Sequence, residues 1–136
     1  MKKILIVLAD YYEDISLSLL KSAKNNLNTL NNFSLKIIKV PGVFEIPITI
    51  SKNIKKYDAF IALGCVIKGE TPHFDLISKA VVKAIMDLSI ESKKPIGNGI
   101  ITCLNKNQAL KRADRKGKDI GGNAVSAVLE TLANFK

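Results

Sequence analysis

The chain is 136 residues long and carries a formal charge of +9, from 21 lysines and arginines against 12 acidic residues. That length makes a single domain, residues 1–136, with a real hydrophobic core and no room for a second. No stretch of eighteen apolar residues occurs, which excludes a membrane-spanning helix, and the lysines are scattered without interleaved aromatic residues, which argues against a nucleic-acid partner.

Met1-Lys2-Lys3 followed by Ile4-Leu5-Ile6-Val7-Leu8 looks like the opening of a signal peptide. The apolar run is too short, however, and Asp10 follows it with no small-residue cleavage site, so Ile4 to Ala9 reads as a first strand. Leu19, Leu20, Ala23, Leu27 and Leu30 then recur at helical spacing between about Asp14 and Asn31. Leu35 to Val40 is a second strand stopped by Pro41-Gly42, and a short helix is expected from Ile46 to Lys55 with Pro47 in its first turn. Ala59 to Leu63 is a third strand, a buried apolar run ended by Gly64. Ile77, Ala80, Val81, Ala84, Ile85 and Leu88 line one face of a long helix from Pro72 to about Ser92. Gly99 to Leu104 is the fourth strand, Asn105 with Gln108 resembles a helix cap, and a last helix carries Val125, Val128, Leu129 and Leu132. Cys65 and Cys103 both lie in apolar, strand-like surroundings and read as reduced core thiols of a cytoplasmic protein.

Repeated βα units of this size require a parallel sheet with helices on both faces. Such sheets bind ligands beyond the carboxyl ends of their strands. Here the loops at those ends are Asp10–Glu13, Pro41–Glu45, Gly64–Thr71 and Thr102–Lys106. The third leads into the only histidine of the chain, His73. Thr71 is expected to cap the following helix with Pro72 at its first position, which places His73 in the first turn, where free N–H groups attract anions. Tyr11 and Phe44 follow the first and second strands and could stack on a flat heterocycle, while Glu45 offers a carboxylate to paired N–H donors. The Gly64–Gly69 turn lacks the Lys-Ser/Thr pair of a nucleotide-binding loop, and no dinucleotide glycine fingerprint follows the first strand. A single histidine without a cysteine pair speaks against a metal site. A Cys65–His73 nucleophilic pair is conceivable, but Cys65 has the surroundings of a packing residue.

Three segments carry a specific resemblance: Pro41-Gly-Val-Phe-Glu-Ile-Pro47, Gly64-Cys-Val-Ile-Lys-Gly-Glu-Thr-Pro-His-Phe-Asp75 and Asn98-Gly-Ile-Ile-Thr102. Together with Gln108-Ala-Leu-Lys-Arg-Ala113 and Ala124-Val-Ser-Ala127, they closely resemble the 6,7-dimethyl-8-ribityllumazine synthase family over essentially the whole chain. The resemblance implies a flavodoxin-like α/β/α sandwich with a four-stranded parallel sheet. It implies a transferase of the penultimate step of riboflavin biosynthesis, condensing 5-amino-6-(D-ribitylamino)uracil with 3,4-dihydroxy-2-butanone 4-phosphate and releasing phosphate and water, with no cofactor. By position, Tyr11 matches the aromatic that stacks on the pyrimidine, and Val43, Phe44 and Glu45 match the lining of the pyrimidine and ribityl pocket. Cys65, Val66 and Ile67 match a loop that contacts the pyrimidine ring. Glu70 and Thr71 match the phosphate-binding pair, and His73 matches the proton-transferring histidine. Asn98 falls where the family has a pocket residue from the neighbouring subunit, and Arg112 matches the arginine that binds substrate phosphate across that interface.

The chemistry suits these residue types, because condensation, elimination and ring closure each move protons near neutral pH, where imidazole works best. One segment departs from the family. Arg112-Ala-Asp-Arg-Lys-Gly-Lys-Asp-Ile-Gly121 is slightly shorter than the usual pattern and leaves both Lys116 and Lys118 as matches for the family lysine. The resemblance further implies a homopentamer as the minimal unit, with sites at subunit interfaces. Two other readings are carried forward. A non-catalytic flavin- or lumazine-binding module of the same fold would bind ligand without forming product, and a basic nucleic-acid binder would show steeply salt-dependent affinity for RNA or DNA.

Overall fold

The computed structural model describes residues 1–27 and 32–135. Apolar runs in the sequence become strands β1 (Lys2–Ala9), β2 (Phe33–Val40), β3 (Ala59–Ile67) and β4 (Ile96–Cys103). Between and after them lie helices α1 (Glu13–Leu27), α2 (Ile46–Lys52), α3 (His73–Ser92), α4 (Lys106–Ala113) and α5 (Ile120–Ala133), with a 3₁₀ turn at Val43–Glu45. The four strands pair in parallel in the order β2-β1-β3-β4.

The two central strands, β1 and β3, are buried on both faces, which is why their sequences are continuously apolar and do not alternate. Alternate residues of these strands serve two separate cores. Ile4, Ile6, Leu8, Ile61 and Leu63 pack with Ile15, Leu19, Val125 and Val128 of α1 and α5. Leu5, Val7, Phe60 and Ala62 pack with Ile46, Ile50, Val81 and Ile85 of α2 and α3. The result is the three-layer α/β/α sandwich expected from the sequence.

Several boundaries differ from the expectation. β3 does not stop at Gly64; it continues to Ile67, because Gly64, Cys65, Val66 and Ile67 pair with Ile100, Ile101, Thr102 and Cys103 of β4. Gly64 is therefore a close-approach residue: a Cβ there would lie 2.7 Å from Val43 Cγ1 and 3.1 Å from Ala9 Cβ. β4 begins earlier, at Ile96, and releases Leu104 to the surface. The helix expected over Ile46 to Lys55 ends at Lys52, and Asn53 closes it by donating its side-chain amide to Thr49 O. Of the residues expected in the first helix, 28–31, Leu30 among them, lie outside the described residues. Pro72, not Thr71, takes the N-cap position of α3. The Asn105 cap is as expected, its Oδ1 accepting from Gln108 N–H at 2.9 Å.

Candidate active site

Each loop at the carboxyl edge is fixed by the element behind it. Ser16, in the first turn of α1, is buried and donates its hydroxyl to Ala9 O at 2.7 Å, tying α1 to the end of β1. Ser16 N–H also donates to Tyr12 O at 2.9 Å, which sets the path of Asp10-Tyr11-Tyr12. The 3₁₀ turn after β2 buries Val43 against the bare face of Gly64 and turns Phe44 outward. β3 then carries Cys65, Val66 and Ile67 past the neighbouring loops, and α3 starts at His73, where Thr71 Oγ1 accepts from the His73 N–H at 3.4 Å.

These pieces enclose an open cleft of about 580 Å³ lined by Tyr11, Tyr12, Gly42, Val43, Phe44, Cys65, Val66, Ile67, His73 and Ile77. Its walls are largely apolar, with one imidazole. Tyr11 and Phe44 stand at the mouth, 75% and 64% exposed. A hollow of this size with aromatic faces and one proton-carrying group is the form expected of a small-heterocycle site. Burial, followed by the proximity of Cys65 and Tyr11, pushes the Tyr12 phenol above its ordinary value. Burial and then the adjacent Cys103 push the Cys65 thiol up to about 12. A thiol held in that state is a poor nucleophile, so Cys65 is part of the wall and not an attacking group. Among the described residues, no three His, Cys, Asp or Glu side chains gather to hold a metal ion.

The sequence model of the 6,7-dimethyl-8-ribityllumazine synthase family matches residues 1–136. The chain belongs to that family. Among its relatives is a lumazine synthase of Bartonella tribocorum, 44% identical over 133 residues, covering 96% of this chain and 87% of that protein. Those of Agrobacterium fabrum and Rhodopseudomonas palustris are 43% and 42% identical, covering 95% and 94% of this chain and 91% and 82% of theirs.

Of the residues matched to the lumazine synthase pattern, the fold brings Tyr11, Val43, Phe44, Cys65, Val66, Ile67 and His73 into one cleft. Cys65, Val66 and Ile67 belong to a strand and not to a loop, so their positions are fixed by the sheet. Glu45 turns away: it lines an adjacent apolar hollow with Phe44, Pro47, Ile48, Ala80, Val81 and Ala84. Glu70 and Thr71 stay exposed on the approach to His73 and do not line the cleft. Asn98 lies at the middle of edge strand β4, opposite Ala62, and its Oδ1 accepts from Ile100 N–H at 3.1 Å. Arg112, on α4, donates from Nη1 to Thr102 O at 2.6 Å and to Cys103 Sγ at 3.7 Å. Neither Asn98 nor Arg112 lines the cleft of its own chain.

Sequence reasoning missed Tyr12, Gly42 and Ile77 as lining residues. Ile77 had a readable signal, since it lies one helical turn beyond His73 and so shares its face. Tyr12 had only its neighbour Tyr11 to mark it.

Proposed function

We propose that this chain is a working 6,7-dimethyl-8-ribityllumazine synthase, joining 5-amino-6-(D-ribitylamino)uracil to 3,4-dihydroxy-2-butanone 4-phosphate. The observation that carries the reading is the cleft itself: two aromatic faces and the chain's only histidine meet at the carboxyl edge of the sheet in a lumazine synthase fold. A pyrimidine would stack on Tyr11 and Phe44, its edges reading the β3 backbone at Cys65, Val66 and Ile67. The 5-amino group attacks the ketone carbon and a water leaves as the imine forms. Loss of a proton and of phosphate follows, and the ribityl-bearing nitrogen closes the ring with loss of a second water. His73 is the group that takes up and returns these protons.

Phosphate would sit at the exposed start of α3, beside Glu70 and Thr71, where helix N–H groups favour an anion. A cation is still needed there, and Arg112 of the same chain does not reach the cleft. That gap supports a homopentamer in which a neighbouring subunit supplies Arg112 and Asn98. Exposed apolar side chains, Ile48 on α2 and the i, i+4, i+8 row Val82, Met86 and Ile90 on α3, support the same reading, because apolar surface is costly to leave in water. No helix among the described residues is long and apolar enough to cross a membrane, and a cytoplasmic enzyme using no cofactor remains part of the proposal. The non-catalytic carrier is not favoured, since the relatives named are synthases.

The test is to mix the protein with both substrates and follow the appearance of the lumazine chromophore and its fluorescence. The wild-type chain should form product, and His73→Ala should lower turnover by roughly ten- to a thousandfold, the range for a positioned proton-transfer group. Absence of product with the wild type rejects the synthase, and an unchanged rate in the variant removes His73 from the mechanism.

A further inference from the structure

Tyr12 lies behind Tyr11. The two rings meet edge to face, with centroids 4.9 Å apart and planes at 80°. Tyr11 is three-quarters exposed, and Tyr12 makes its one ring contact among the described residues. Tyr12, in contrast, is anchored from several sides. Its carbonyl accepts from Ser16 N–H, its side chain packs, partly buried, against the core of α1, α5 and the sheet, and it lines the cleft together with Cys65 and Ile67.

We infer that Tyr12 is a positioning residue for the pyrimidine, acting by holding the Tyr11 ring in the orientation that stacks on the substrate. The inference rests on the stacking role proposed for Tyr11. A free aromatic side chain on a loop samples several rotamers, and ordering it when ligand arrives subtracts from affinity. An edge-to-face partner already fixed in the wall removes that cost, because the quadrupoles of the two rings favour one mutual geometry. Tyr12 is fixed before binding; Tyr11 is fixed by Tyr12. The effect belongs to pyrimidine binding and not to proton transfer, since Tyr12 acts through the Tyr11 ring and not through His73.

The experiment is a double-mutant cycle on the full-length protein, using Tyr11→Ala, Tyr12→Leu and the double variant, with Tyr12→Phe as the conservative control. Pyrimidine affinity is measured by calorimetry, which requires no turnover, alongside kcat and both Michaelis constants. Thermal unfolding of each variant identifies any that fail to fold. Tyr12→Leu should weaken pyrimidine binding about three- to tenfold, the equilibrium factor of one aromatic pair. The Michaelis constant for the butanone phosphate and kcat should move less than twofold, and Tyr12→Phe should recover most of the lost affinity. In the Tyr11→Ala background, Tyr12→Leu should add almost nothing. Penalties that multiply in the double variant, or a phenylalanine that fails to rescue, overturn the inference while leaving the synthase reading intact. Unchanged affinity in Tyr11→Ala overturns both the stacking role and the inference. Intact coupling without turnover in the wild type keeps the pair and rejects the synthase.

Discussion

Cys65 shows how one side chain records its surroundings. Its thiol is pushed from an ordinary value of 9.0 up to about 12, first by burial in β3 and then by the neighbouring Cys103. Below pH 9 the folded and unfolded thiols both hold their protons and the group does not alter stability with pH. Above pH 9 the unfolded thiol ionises while the folded one does not, so its contribution to stability falls as pH rises from 9 towards 12. Reactivity follows the same difference. At pH 8 native Cys65 should react with a thiol reagent at least about tenfold more slowly than in denatured protein, because burial keeps it protonated and its lower thiolate fraction outweighs the greater nucleophilicity of a high-pKa thiolate. Mass spectrometry of the Cys65 peptide at timed points measures this, and rapid native labelling would show that the thiol is not held in the wall. The packing role of Cys65 was legible in the sequence, because Ala59-Phe-Ile-Ala-Leu63 before it and Val66-Ile67 after it are apolar. Tyr12 was not legible, because an aromatic in a polar loop has the same composition whether it faces solvent or braces its neighbour.

Strands and helices were readable in order and kind from apolar runs and periods together with markers such as Pro47 and the Asn105 cap; their ends were less so. Gly64 resembles a strand terminator, yet it lies inside β3 because the ladder with β4 runs on through Ile67 and the 3₁₀ turn needs the space of its missing side chain. Pairing with another strand is invisible to local propensity, which explains the error. α3 ends in the opposite way. No glycine marks its end: Lys93 takes the left-handed conformation, φ 60° and ψ 32°, while Ser89 Oγ donates to Lys94 O at 2.8 Å to close the turn. A non-glycine residue in that region costs about 1–2 kcal/mol, whereas glycine enters it freely. Lys93→Gly should therefore stabilise the protein by about 0.5–1 kcal/mol after allowing for the greater freedom of glycine in the unfolded chain. The denaturant midpoint, measured with unchanged slope, tests this. A lower midpoint would mean that the Lys93 side chain, exposed as it is, contributes more than its backbone costs.

The molecule as a whole divides its candidate site. Tyr11, Phe44 and His73 gather beyond β1, β2 and β3, while Asn98 and Arg112 belong to β4 and the helix after it and stay out of that cleft. The sequence indicated both groups, and their origin in neighbouring subunits, only through family resemblance; nothing in the period or composition of this chain says that they do not meet, because a partner surface leaves no mark there. In the proposed ring the second group completes the cleft of the next subunit, so assembly becomes a condition of activity. Two impaired variants test this together. His73→Ala retains a sound Arg112, and Arg112→Ala retains a sound His73. In mixed rings, a site that draws His73 from one kind of chain and Arg112 from the other is intact. At equal mixing with random neighbours, half of the sites have His73 and half of those have Arg112, so roughly one site in four should regain wild-type turnover. Recovery should appear only after subunits have dissociated and reassembled, and mass spectrometry of the intact assemblies verifies that they have exchanged. Exchange without recovery would mean that each chain completes its own site, with Arg112 released from Thr102 to reach it.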